Sequence, residues 1–211
     1  MTNFIIYVRL IFLCYYIQSM SEKKITLNLR KLSVLGTIWG ILLQIICLGA
    51  WYFVWGFPTL DMPEMTYHEV EIFFMKKMIL YIVVFIGGIV VHELIHGLVW
   101  GYFAPQHFKN ISFGISFRSL IIMPYCHCNA PLQVGQYRMG ALAPLFILGI
   151  IPYLFGMFAH SFSVMFFGFF FILTAMGDIA IVWKMRGLPN HQMVLDHPSE
   201  PGFIIFEGES C

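Results

Sequence analysis

The chain has 211 residues, of which 59% are apolar and only 11% are charged. About a quarter of the residues of an ordinary soluble domain are charged, so this composition is typical of a protein whose main solvent is a lipid bilayer. The net charge of +1 provides no basic surface for nucleic acid and no acidic tail, and five scattered cysteines do not make a disulfide framework.

The first apolar segment, residues 4–19, is short and carries Arg9 near its middle. An arginine at the centre of a membrane span costs about 3 kcal/mol to insert, so this segment is the weakest candidate span. Residues 1–32 are therefore predicted to form a separate N-terminal segment. Residues 1–19 are either an extra apolar helix or an upstream extension of the reading frame before the polar stretch that starts at Met20.

Four later stretches are long enough to cross a membrane, because a spanning helix needs about 20 mainly apolar residues. These predicted core helices run from Ser33 to Phe57, from Met78 to Phe103, from Met139 to His160 and from Phe162 to Met185. The sequence thus predicts an all-α polytopic membrane protein with four core transmembrane helices, and a fifth if residues 4–19 also insert. The membrane-embedded domain is expected over residues 33–186, followed by a polar cytoplasmic tail at residues 187–211.

The orientation follows from lysine and arginine, which are retained in cytoplasmic loops. They precede the first core helix, lie between the second and third, and follow the fourth: Lys23, Lys24, Arg30, Lys31, Lys109, Arg118, Arg138, Lys184 and Arg186. The loop between the first and second helices is richer in acids, including Asp61 and Glu64. We therefore expect a multi-pass protein of the cell membrane, with both ends of the four-helix core in the cytoplasm.

The second core helix contains a His-Glu-x-x-His motif, formed by His92, Glu93 and His96. Residues four apart lie on one face of a helix, so both imidazoles can bind one metal ion while Glu93 lies beside it. Two histidines and one further ligand leave zinc an open position for water, and Glu93 can act as the general base. The alternative is a set of packed polar residues, but three ionisable groups in one membrane span point to function.

Asp178 is the buried acid available as a third ligand, since it lies inside the otherwise apolar fourth helix. A lone carboxylate there is costly without a cation. His96 lies about seven residues before Phe103, roughly 10 Å along the helix, and Asp178 lies at a similar depth before Lys184. The predicted zinc ligands are therefore His92, His96 and Asp178. The alternative for Asp178 is a bond to a helix hydroxyl or to another group.

Four other features have two interpretations each. Residues 110–117 alternate polar and apolar types, which predicts a short β-like segment at the membrane surface. This segment is either a strand or hairpin that could hold a substrate by edge pairing, or a re-entrant loop. Cys126, His127 and Cys128 are expected in a structural turn rather than as metal ligands, because alternate side chains of a strand point to opposite faces. Pro144 either opens a water path or only kinks its helix. The stretch from Asp196 to Phe203 is either a lid over the site or an unattached loop.

These motifs resemble those of a small bacterial family of zincin peptidases, and more distantly the site-2 protease class of intramembrane metalloproteases. The resemblance covers about residues 78–186 and rests on these stretches: His92 to Gly97, Phe113 to Ile115, Pro124 to Cys128, Pro131-Leu132, Tyr137, Ala143-Pro144 and Gly177-Asp178. Site-2 proteases usually have a Leu-Asp-Gly sequence at the third ligand, whereas here glycine precedes the aspartate. The family resemblance implies peptidase activity but no particular substrate.

The sequence therefore predicts a zinc-dependent intramembrane peptidase, in which zinc is bound by His92, His96 and Asp178 and Glu93 activates the water. Its expected partners are membrane lipid and a membrane-protein or peptide substrate, without nucleic acid. The alternative is a metal-binding membrane scaffold, or a zincin without activity. A metal transporter is disfavoured because the helices show no repeated pair of intramembrane metal motifs.

Overall fold

The computed structural model describes residues 21–27, 29–57, 66–118, 121–198 and 200–207. The predicted apolar segment at residues 4–19 lies outside these residues, as do Asp61 and Glu64. The elements follow one another in the order β1 (Ser21–Thr26), α1 (Leu29–Trp55), α2 (Tyr67–Phe103), β2 (Ile111–Arg118), β3 (Ile121–Cys128), β4 (Leu132–Gln133), α3 (Val134–Pro144), a π-helical segment (Leu145–Ile150), α4 (Ile151–Phe158), α5 (Phe162–Thr174), α6 (Met176–Lys184), β5 (Met193–Asp196) and β6 (Gly202–Glu207).

Helix α2 carries the His-Glu-x-x-His motif and is continuous over 37 residues. It begins at a capping box, in which the Glu69 carboxylate accepts hydrogen bonds from the Thr66 amide and hydroxyl at 2.8 and 2.7 Å. It ends before Ala104, whose backbone is extended because Pro105 follows it. The helix therefore starts earlier than the predicted Met78 and ends at the predicted Phe103.

Three segments among the described residues are long and apolar enough to cross a membrane: Val34–Trp55, Tyr67–Phe103 and Val134–Phe158. The third of them consists of α3, the π-helical segment and α4. A fourth span is available only as the pair α5 and α6, which bend by 41° at their junction. The predicted fourth core helix from Phe162 to Met185 is thus found as two helices, and the Thr174 hydroxyl bonds the Phe171 carbonyl at 3.1 Å beside their junction.

The prediction of an all-α protein is incomplete, because the first and last described segments form a sheet. Strands β1, β6, β5 and β4 lie side by side in that order and pair antiparallel. The tail, predicted to be a polar segment with a loop from Asp196 to Phe203, instead supplies β5 and β6. The physical reason is the apolar run from Phe203 to Phe206, which is buried in the structure.

A separate two-stranded hairpin lies between α2 and α3. Strands β2 and β3 pair antiparallel in a register that sets Phe113 opposite Cys126 and Ser112 opposite His127. This outcome selects the hairpin over the re-entrant loop. It also corrects the expected turn at Cys126, His127 and Cys128, which lie within the paired strand β3.

The main core lies where one end of the helices meets the sheet. It contains Trp100 of α2, Tyr137 of α3, Met185 after α6, and Val194 and Phe203 of the tail strands. A smaller core joins α1 to α5 around Cys47, Trp51, Met165 and Phe169. Thus the tail strands pack directly against the same part of α2 and α3 that adjoins the His-Glu-x-x-His motif.

Candidate metal centre

Helices α2 and α6 bring the three predicted ligands together. His92 and His96 are buried, with 6% and 4% of their surface exposed. His92 Nε2 lies 3.3 Å from Asp178 Oδ2, and His96 Nε2 lies 3.5 Å from Asp178 Oδ1. All three ligand atoms lie within 4.8 Å of one another, so this group could hold a metal ion. The proximity predicted from matching membrane depths is therefore found, although Asp178 lies in the first turn of a separate short helix.

The chemistry of these atoms fits a cation. His96 Nδ1 lies 2.9 Å from the carbonyl oxygen of Gly140, and because a carbonyl only accepts, Nδ1 carries the proton. A neutral His96 ring then directs an unprotonated Nε2 towards Asp178 and towards His92 Nε2, 3.1 Å away. Facing acceptors repel one another unless a proton or a cation lies between them. Two imidazole nitrogens and a carboxylate are a donor set that zinc commonly takes.

Glu93 lies next to this group without belonging to it. Its side chain is half-buried, and the backbone N–H of Cys126 in β3 donates a hydrogen bond to its carboxylate. The hairpin therefore fixes the glutamate on the side of α2 that faces β3. A carboxylate held beside three candidate ligands, yet free of them, is in a position to accept a proton from a nearby water.

Aromatic rings enclose both histidines. The Trp100 ring stacks on His96 with centroids 5.1 Å apart, and it also stacks on Tyr137 at 5.0 Å. The Phe171 ring lies 6.4 Å from the His92 ring. These rings keep the site in an apolar surrounding, where electrostatic interactions are stronger than in water.

Close packing explains two of the three glycines that flank the motif. A Cβ on Gly88 would lie 2.3 Å from Phe171 Cζ, and one on Gly97 would lie 2.4 Å from Phe113 Cζ. Gly88 therefore allows close packing of α2 against Phe171 of α5, and Gly97 allows close packing against Phe113 of β2. At Gly87 a Cβ would meet nothing within 4 Å, so packing does not require a glycine there.

The Cys-His-Cys stretch of β3 is not part of the ligand group. His127 Nδ1 lies 3.1 Å from Asp196 Oδ2 of β5, so it is engaged with the tail. Burial raises the pKa of the Cys126 thiol well above its usual range, with a further contribution from Glu93, and raises the pKa of Cys128 to about 11.

Sequence reasoning missed several residues that support the site. Gly140 was missed because its contribution is a carbonyl group, which every residue has. Trp100 follows His96 by one helical turn on α2, and this spacing could have marked it as a neighbour. Tyr137 and Asp196 were missed as a pair, although the Tyr137 hydroxyl donates to Asp196 Oδ1 at 2.8 Å, because their contact spans α3 and the tail.

Comparison with known proteins agrees with this geometry. Neither a curated protein nor a solved structure matches the chain significantly. The profile of a protein family described as "Putative zincin peptidase" matches residues 85–193, a range that contains His92, Glu93, His96 and Asp178. The match extends over more than half of the chain, and the chain therefore belongs to this family of zincin peptidases.

Proposed function

We propose that this protein is a zinc-dependent intramembrane peptidase that hydrolyses peptide bonds of membrane-associated substrates. The observation that carries the proposal is the convergence of His92, His96 and Asp178 within 4.8 Å, with Glu93 beside them. Membership of a zincin peptidase family supports metallopeptidase chemistry.

In the proposed mechanism His92, His96 and Asp178 would bind the zinc ion, and Glu93 would transfer the proton. Zinc in a three-ligand site acts as a Lewis acid that lowers the pKa of water towards 7. The Glu93 carboxylate accepts the proton of the attacking water and returns it to the leaving amine. The hydrogen bond from Cys126 N–H keeps this carboxylate in place through both proton transfers.

The membrane setting is supported by the outer surface of the helices. Apolar side chains of α1 and α2 are highly exposed, for example Phe53 at 91% and Val83 at 61%. Exposed apolar surface of this extent along long helices is stable when lipid covers it. We propose that membrane lipid surrounds these helices and that the lysine and arginine bias places the metal centre in the cytoplasmic half of the bilayer.

The position of the hairpin supports a proposal for the substrate class. Strand β3 pairs only with β2 among the described strands, and its other edge runs past Glu93. A peptide must be extended to be cleaved, and a strand edge can hold an extended chain. We therefore propose that membrane-protein or peptide segments reach Glu93 in an extended form.

The decisive experiment separates catalysis from metal binding. Glu93→Gln keeps the shape of the side chain but cannot accept a proton, so we expect about 10²- to 10⁴-fold slower cleavage with normal zinc content. Glu71→Gln is the matched control, because Glu71 is an exposed glutamate on the same helix. The membrane proteomes of cells that carry each variant should differ by uncleaved substrates in Glu93→Gln alone.

The same experiment has an outcome that contradicts the proposal. If Glu93→Gln leaves every cleavage product unchanged while His92→Ala produces a phenotype, the metal supports a scaffold and not a hydrolase. The peptidase proposal would then be wrong, although the ligand assignment would stand.

A further inference from the structure

Pro144 ends α3 and removes one hydrogen bond from its backbone. A proline has no N–H, so the carbonyl four residues before it loses its α-helical donor. That carbonyl belongs to Gly140. The next amide, Leu145 N–H, bonds the carbonyl of Leu142 instead of restoring the α-helical pattern. The chain then continues as the π-helical segment Leu145–Ile150.

The freed carbonyl is used by a proposed zinc ligand. Gly140 oxygen lies 2.9 Å from His96 Nδ1, and the bond is buried. The absence of a side chain on Gly140 permits this approach, because a Cβ would lie 2.1 Å from Trp100 Cδ1 and Nε1. Pro144 and Gly140 thus act together, since one frees the carbonyl and the other lets α2 come close enough to reach it.

Unlike His96, His92 has no such hydrogen-bond acceptor for its Nδ1 among the described residues. His92 Nδ1 is buried, and no described residue accepts a hydrogen bond from it. The His96 ring is therefore the one whose rotation and proton position are set by the backbone of a second helix. Partners of this kind orient metal-binding histidines and fix which nitrogen faces the metal.

We propose that Pro144 is a positioning residue for the metal centre. By keeping the Gly140 carbonyl without a helical donor, it fixes the proton of His96 on Nδ1 and directs Nε2 towards Asp178. This inference rests on the proposed function in that it takes His96 to be a zinc ligand. Under this proposal Pro144 does more than kink its helix, because it keeps the Gly140 carbonyl available to His96.

The test compares two prolines of the same broken span. Pro144→Ala supplies an N–H that competes with His96 for the Gly140 carbonyl, so zinc affinity should fall by about 10- to 100-fold. Pro152→Ala is the control, because Pro152 lies in the first turn of α4 and no described side chain bonds the Leu148 carbonyl four residues before it. Its zinc affinity should match that of the wild type. Affinity is measured on purified full-length protein by competition with a zinc chelator.

A third variant separates the missing N–H from the proline ring. Lactate incorporated at position 144 places an ester in the backbone, which lacks the N–H but also lacks the ring. We expect zinc affinity near that of the wild type, and this comparison remains informative if Pro144→Ala does not fold. The absorption spectrum of cobalt-loaded protein provides a second readout, since it reports the geometry of the ligands without any activity.

The outcomes are distinct. Equal zinc affinity in Pro144→Ala and in the wild type would overturn the positioning role, and so would a loss of affinity in the ester variant comparable to that in the alanine variant. An equal loss in Pro144→Ala and Pro152→Ala would reduce Pro144 to a packing residue and overturn it too. A wild-type protein that binds no zinc would instead contradict the proposed function, before the variants are compared.

Discussion

Replacing Gly140 with alanine tests the contact between α2 and α3 that holds His96. The new Cβ would lie 2.1 Å from two atoms of the Trp100 indole. Trp100 is only 5% exposed, stacks on both His96 and Tyr137, and donates from Nε1 to the Tyr137 carbonyl at 3.1 Å. The indole therefore cannot move aside, and the two helices must separate.

The expected cost can be worked out from these contacts. Overpacking costs about 1–3 kcal/mol, and the bonds from His96 to Gly140 and from Trp100 to Tyr137 are worth about 1 kcal/mol each. Alanine recovers about 1 kcal/mol over glycine through its helix propensity. We expect Gly140→Ala to lower the free energy of unfolding by about 2–4 kcal/mol and to weaken zinc binding.

Gly135→Ala is the matched control on the same helix. A Cβ there would lie 3.6 Å from Asn190 Cβ, an ordinary contact, so the variant should be neutral or more stable by up to about 1 kcal/mol. Both variants are measured by denaturant titration in detergent, with zinc content determined in parallel. The reasoning would be refuted if Gly140→Ala were no less stable than Gly135→Ala.

Three further predictions concern the metal, the topology and the tail. Purified protein should carry about one zinc per chain, and metal analysis of the His96→Ala variant should find none. The control variant His68→Ala, at an exposed histidine of the same helix, should keep its zinc. Full zinc occupancy in His96→Ala would refute the ligand assignment. A reporter fused after Lys109 or Arg186 should be cytoplasmic and one near Glu64 external, and an external C-terminus would overturn the orientation. Asp196→Ala should destabilise the protein by about 1.5–3 kcal/mol in denaturant titration, because the Asp196 carboxylate accepts a hydrogen bond from Tyr137 and contacts His127. If the Asp196→Ala variant is as stable as the control variant Glu200→Ala, the tail does not depend on this carboxylate.

The parts of the fold that follow from local composition could be predicted from the sequence. Long apolar runs identify α1 and α2, because each is long enough to cross a membrane. Spacing places His92 and His96 on one face of α2, and a costly lone carboxylate singles out Asp178. That these three lie together is confirmed, whereas zinc binding and the role of Glu93 stay predictions.

The parts that depend on distant partners could not be predicted. Strand β6 contains a short apolar run that becomes a strand only by pairing with β1 and β5 from remote parts of the chain. The bend between α5 and α6 lies within one continuous apolar stretch, so composition does not reveal it. The contribution of Gly140 is a backbone carbonyl, and only the position of α3 against α2 shows that His96 uses it.

Both helices that face the motif depart from regular α-helical geometry close to the ligand group. In α3 the departure at Pro144 releases the carbonyl that orients His96. In the pair α5 and α6 the bend at Ala175 puts Asp178 in the first turn of α6, where unpaired N–H groups and the helix dipole favour negative charge. Backbone groups freed within an apolar layer are tolerated when they are buried in protein and find polar partners there. Because the irregular backbone and the polar side chains satisfy each other, substitutions that make either helix regular should act first on the metal centre and only then on the fold.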